Sequence, residues 1–172
     1  MISLSLLFWI FVVMFAIIGA MRGWAKELLV TFSVILAIFV ITVLKQYIPF
    51  ISSLLQQANE LSFWIQTGLL LILSYFGYQS PNFPKLSAGK LHREKLQDSL
   101  FGAVLGGFNA YLIFGTVWAY LIEASYPFQQ VTPPIDEASL QIIAMLPLTW
   151  LVTPTIFFAV AIAFVFVVIV YL

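Results

Sequence analysis

Long apolar runs separated by short polar islands dominate this chain. A helix needs about 20 apolar residues to cross a bilayer, because each residue advances it about 1.5 Å and no backbone polar group can be left unpaired in hydrocarbon. Runs close to that length fall at residues 3–21, 28–44, 61–78, 100–122 and 154–172. They predict an all-α, polytopic helical membrane bundle of about five transmembrane helices, formed as one membrane domain over residues 1–172. Between the runs, "QYIPFISSLLQQANE" (46–60) mixes apolar and polar side chains and predicts a short amphipathic helix at the interface. Residues 79–99 open with "QSPNFPK", whose prolines end the third run; "SAGKLHREKLQD" then reads as a charged, partly helical approach to the fourth. Residues 123–153 form an outer loop and an interfacial segment. Pro127, Pro133 and Pro134 predict irregular chain over 123–137. "ASLQIIAMLPLTWLVT" (138–153), cut by Pro147 and Pro154, reads as an interfacial or re-entrant stretch before the fifth run. A single long, kinked helix is the competing reading.

Composition strengthens the membrane assignment. The chain is 63% hydrophobic and 8% charged, with a mean hydropathy of +1.08. A water-facing domain carries about 25% charged residues, so most of this surface faces lipid or other apolar protein. The formal net charge of zero gives nucleic acid no electrostatic footing. The absence of cysteine removes disulfides, thiolate metal sites and thiol nucleophiles together. No Lys or Arg precedes the first run, so it lacks the basic start of a cleaved signal peptide and is expected to remain as a spanning helix.

The few charges are lopsided. Arg22 and Lys26 lie between runs one and two; Lys85, Lys90, Arg93 and Lys95 lie between runs three and four. The opposite connections hold Lys45 with Glu60, Glu123, Asp136 and Glu137. The positive-inside rule places residues 22–27 and 79–99 in the cytoplasm, the N-terminus outside and Leu172 inside.

Two stretches stand out. In "GAMRGWAKELL" (19–29), Arg22 and Lys26 share a helical face, and Glu27 favours the N-terminal end of the second run. Gly19 and Gly23 allow a close approach or a bend. The set Gly19, Arg22, Gly23, Lys26 and Glu27 is first a topological hairpin and second a candidate cytoplasmic docking motif. In "LQDSLFGAVLGGFNAYLIFG" (96–115), Gly102, Gly106 and Ala110 recur every four residues as a smooth packing stripe. Asn109 lies near the middle of that run, where an amide must find a polar partner on another helix.

Together these stretches resemble the CvpA family, the colicin V production proteins. The pattern G-x-x-R-G-x-x-x-E at Gly19, Arg22, Gly23 and Glu27 is similar to the family's first hairpin. Asp98, Gly102 and Gly106 match its Asp-start, glycine-rich helix in the same order. The resemblance covers about residues 1–125. Departures are Ser3 and Ser5 where many members carry an acidic residue, Asn109 and Ala110 where Arg-Gly is common, and a closing run beyond the usual four-span pattern. The resemblance implies a multi-pass protein of the bacterial cytoplasmic (inner) membrane, associated with toxin production or export and with envelope homeostasis.

Catalytic chemistry is not legible. His92, the lone histidine, sits among charged loop residues, and neither a phosphate-binding loop nor a nucleophile triad is present. No ionisable residue falls inside the five runs as bounded above, which weighs against an ion-coupled carrier. The sequence predicts no enzyme, no metal and no cofactor, although Phe157, Phe158, Phe164 and Phe166 leave a bound lipid, quinone or pigment open. Expected partners are the lipid bilayer and other membrane-protein subunits or a second copy of itself, not nucleic acid. The leading expectation is a structural or assembly subunit of a larger bacterial membrane complex, respiratory or photosynthetic ones included. The smooth stripe and the polar-tail-free ending "VIVYL" favour it. The alternative is a stand-alone CvpA-like protein self-associated through Gly102 and Gly106. A channel or carrier lined by Thr67, Ser74, Asn109 and Thr116 ranks third.

Overall fold

The computed structural model describes residues 3–79 and 92–171. Its elements are helical throughout those residues: α1 (Leu4–Arg22), α2 (Trp24–Tyr47), α3 (Pro49–Leu55), α4 (Glu60–Tyr78), α5 (His92–Glu123), α6 (Glu137–Ala144), α7 (Pro147–Trp150) and α8 (Thr155–Tyr171). Lys85 and Lys90, in the expected basic loop, lie outside the described residues.

Local chemistry sets the boundaries. Gly23 alone separates α1 from α2, at φ +88° and ψ 156°, a region essentially reserved for glycine. The α2 helix therefore starts at Trp24, four residues before the expected boundary at 28. Asp98 makes the early start stable: its carboxylate accepts the Trp24 N–H at 3.1 Å, satisfying a donor the helix cannot. Asn59 caps α4 by accepting from Ser62 N–H at 2.8 Å, and Glu60 complements the helix dipole there. Proline at the first position starts both α3 and α7. The amphipathic stretch 46–60 thus contains a real but short helix. Residues 137–171 are three separate helices; Pro147 and Pro154 divide what the competing reading took as one kinked helix.

Among the described residues, four helices are long and apolar enough to cross a membrane: α1, α2, α4 and α5 from Lys95 onward. The fifth apolar run forms α8, a shorter apolar helix of 17 described residues, about 25 Å long at 1.5 Å per residue. The fourth span also starts earlier than residue 100, because the charged approach is continuous with it.

The α1 helix lies along α5, α2 packs on both α4 and α5, and α8 leans on α2. The main core draws Val30, Val34, Ile38 and Ile41 from α2, Leu70 from α4, and Leu112, Ile113 and Tyr120 from α5. A smaller cluster joins Phe8, Trp118, Ala119 and Leu146. At one end of the bundle, Ser99 Oγ donates to the Ala20 carbonyl at 2.9 Å, and Arg22 reaches the Tyr78 carbonyl at 3.2 Å. At the other end, Lys45 pairs with Glu123 at 2.5 Å. The α1–α2 hairpin therefore shares an end with the close of α4 and the start of the α5 span.

Candidate functional site

Arg22 and Glu27, which the hydropathy pattern treats as loop, join Thr31, Tyr78 and Asn109 in a clamp where α1, α2, α4 and α5 meet. Glu27, in the first turn of α2, is 1% exposed. Arg22 Nη1 donates to Glu27 Oε1 at 2.5 Å, and Arg22 also lies 4.6 Å from the centre of the Tyr78 ring. The guanidinium is thus held by a carboxylate, a carbonyl and an aromatic face, each suited to its flat, weakly hydrated charge.

Asn109 completes the other side. Its Nδ2 donates to Glu27 Oε2 at 2.8 Å and to the Glu27 carbonyl at 2.9 Å. Its Oδ1 accepts from Thr31 Oγ1 at 2.6 Å. Both carboxylate oxygens and the amide are thereby engaged across three helices, the condition under which a charge and an amide can be buried in an apolar bundle. The expectation that no ionisable residue lies within a span is corrected here. Glu27 is helical and enclosed because the chain turns on a single glycine, not on a loop reaching residue 27.

The proposed docking motif is therefore divided. Glu27 faces inward, the Arg22 side chain retains 21% of its exposure, and Lys26 is half-buried. Gly19 and Gly23 carry the close contacts. A Cβ on Gly19 would strike the Gly102 carbonyl oxygen and stand 2.8 Å from Gly106 Cα; one on Gly106 would strike the Phe15 carbonyl. Gly102 and Gly106 are thus covered by the chain's own α1, Ala110 in the same stripe is fully buried, and the two glycine motifs are halves of one contact. The α1–α5 contact occupies the glycines through which a second copy was expected to dock.

The four groups considered as channel lining are all buried: Thr67 at 6%, Ser74 at 2%, Asn109 at 0% and Thr116 at 0%. Asn109 is engaged in the clamp. The hydroxyls of Thr67, Ser74 and Thr116 have no hydrogen-bond partner among the described residues. Sequence reading missed Thr31, although it stands four residues from Glu27 and so on the same helical face. It also missed the clamp role of Tyr78, which looks like an interfacial anchor until α4 is docked. Among the described residues, no three His, Cys, Asp or Glu side chains gather as a metal site.

The comparisons with known proteins bear on the same region. The model of the family described as colicin V production protein matches residues 4–141, which include the hairpin, the clamp and the whole of α5. Neither the curated proteins nor the solved structures yield a match. The match spans far more than half of the chain and ends before α8. The clamp that ties α1, α2, α4 and α5 thus lies wholly within the matched residues, and this multi-pass membrane protein belongs to the colicin V production protein family.

Proposed function

We propose that this chain is a non-catalytic subunit of a larger membrane assembly serving toxin production or export, embedded in the bacterial cytoplasmic membrane. The observation that carries the reading is α8. It is apolar on every side, packs against α2 through Phe39–Phe157 and Phe32–Phe166 ring contacts, and leaves Phe158, Ile162 and Phe164 between 66% and 68% exposed. A helix apolar all round belongs in an apolar interior. This one lies beyond the family match, and a neighbouring membrane protein supplies the cover for its exposed rings. Inside the bundle Arg22, Glu27, Thr31 and Asn109 bind one another, an arrangement suited to a scaffold. In this arrangement the clamp end, with Arg22 and Lys26, faces the cytoplasm under the positive-inside rule.

The test is purification of the full chain from its host in mild detergent. Comigration with several different polypeptides, lost when Phe158 and Ile162 are both replaced by serine, supports the reading. A species containing this chain alone refutes it and favours a stand-alone protein of toxin export or envelope homeostasis.

A further inference from the structure

We propose that the bundle end opposite the clamp holds one phospholipid with a primary ammonium headgroup, of the phosphatidylethanolamine class. Its headgroup occupies a polar cavity beside the start of α1, and an acyl chain enters the crevice between α1 and α5. The cavity measures about 500 Å³, within the range of about 300–1,000 Å³ usual for small-ligand sites. Ser3, Leu4 and Leu7 line one side, and the loop over residues 130–136 lines the other. The crevice measures about 90 Å³ and runs between Phe8 and Phe11 of α1 and Phe114 and Trp118 of α5. Leu4 and Leu7 border both spaces, so the polar cavity and the apolar crevice adjoin.

The α1–α5 seam explains why the crevice forms at this end. The two helices run antiparallel, since Ala20 meets Ser99 while Phe8 meets Trp118. At the clamp end Gly19, Gly102 and Gly106 let backbone touch backbone. Toward Leu4 the seam is built from residues 4, 7, 8 and 11 against 114, 117, 118 and 121, two facing stripes of large side chains at helical spacing. Bulky rings do not fill that wider seam, and the stacked pair Phe11 and Phe114, 3.9 Å apart, marks its inner end. From Leu4 to Phe11 the helix advances about 10 Å. The crevice thus reaches from headgroup level well into a hydrocarbon leaflet of about 15 Å.

Size selects the tail. At about 90 Å³ the crevice is smaller than the roughly 150 Å³ apolar cavity that takes a benzene ring. It fits a stretch of alkyl chain, and neither the ring of a quinone or pigment nor a partner helix. Leu7, on the rim, is 39% exposed, so a chain can enter from the lipid side.

Charge selects the headgroup. Asp136 is the one charged side chain among the described residues that line the cavity. The Ser139 N–H, 2.9 Å from Asp136 Oδ2, fixes that carboxylate at the start of α6. The connections at this end carry Glu60, Glu123 and Glu137 besides, against Lys45, which Glu123 already pairs. Such an acidic end attracts a headgroup cation and repels an anionic lipid. A primary ammonium brings three N–H donors to the carboxylate, whereas the methylated nitrogen of a choline headgroup brings none. The lipid phosphate is then left to the hydroxyls of Ser3 and Thr132 and the amide of Gln130, each able to donate.

The experiment is native mass spectrometry of the full-length chain released from detergent micelles. The chain is titrated with phosphatidylethanolamine, phosphatidylcholine and phosphatidylglycerol of identical acyl chains. The expected result is one phosphatidylethanolamine bound severalfold more tightly than either of the others. Asp136→Asn should remove that preference and keep α6 capped, because asparagine caps a helix about as well as aspartate. Leu7→Phe, which narrows the mouth of the crevice, should weaken the binding of all three lipids. A loose shell of lipid predicts equal binding of the three, and that result overturns the proposal. So does a wild-type chain that takes up none of them, as a site reserved for a polypeptide would. The same holds for a preference that survives Asp136→Asn, for binding unchanged in Leu7→Phe, or for glycerophosphoethanolamine, which has no acyl chains, binding as tightly as the intact lipid.

Discussion

Removing Arg22 should damage this protein more than removing Glu27, although the two form one ion pair. In Arg22→Met, the Glu27 carboxylate stays 1% exposed, with Asn109 as a neutral donor and no cation against it. A buried charge stripped of its partner costs about 3–5 kcal/mol. In Glu27→Leu, the remaining cation belongs to a side chain that is 21% exposed and can extend along its own stem to the headgroup level. The loss is then mainly hydrogen bonds to a charged group, about 1.5–3 kcal/mol. Asn109 also keeps the residue-27 backbone carbonyl, 2.9 Å away. The double variant leaves neither charge stranded, so its cost should fall below the sum of the single costs by about 2 kcal/mol. The assay is equilibrium unfolding in mixed mild-detergent and SDS micelles, followed by tryptophan fluorescence. Arg22→Met no more destabilising than Glu27→Leu would refute the reasoning, as would single costs that add within about 0.5 kcal/mol.

Gly106→Leu should detach α1 from α5, because the new side chain meets the Phe15 backbone. The cost should exceed the roughly 1–3 kcal/mol typical of overpacking, and an unchanged melting temperature in detergent would contradict it. Gly23→Ala should cost about 1–3 kcal/mol from its φ and ψ alone, and its Cβ would stand 3.0 Å from both Asp98 carboxylate oxygens. A melt matching wild type would show that the hairpin can turn another way. Outside the spans, Ser139 holds the Asp136 carboxyl below its ordinary 3.8, first by its hydroxyl and then by its N–H. Only the N–H contact, 2.9 Å, has full hydrogen-bond geometry. A carboxyl depressed by folding lends stability above its unfolded value and loses it as pH falls through the folded one. The α6 cap should therefore hold at pH 5 and weaken below about 3.8. Exchange of the Ser139 amide should accelerate in that window, and a flat profile down to pH 2 would count against the cap.

The membrane class, the helical fold and the family were determined by sequence alone, because each rests on local quantities. Hydrocarbon admits long apolar helices, and that pattern can be read residue by residue without knowing what lies opposite. Gly19, Arg22, Gly23 and Glu27 were legible as a motif for the same reason, since their spacing is short. Only the tertiary structure decided what that motif does. Hydropathy treats Glu27 as an interruption, yet one glycine at positive φ and a carboxylate 74 residues away start the helix early enough to enclose it. Nor does the spacing of Gly102 and Gly106 say whether the covering helix belongs to another chain or, as here, to α1. A buried charge is stable only in company, and its companions, Arg22, Thr31, Tyr78 and Asn109, become neighbours only when four helices pack. The hydroxyls of Ser74 and Thr116 stand out in the sequence by polarity alone; only the closed bundle shows that they are buried.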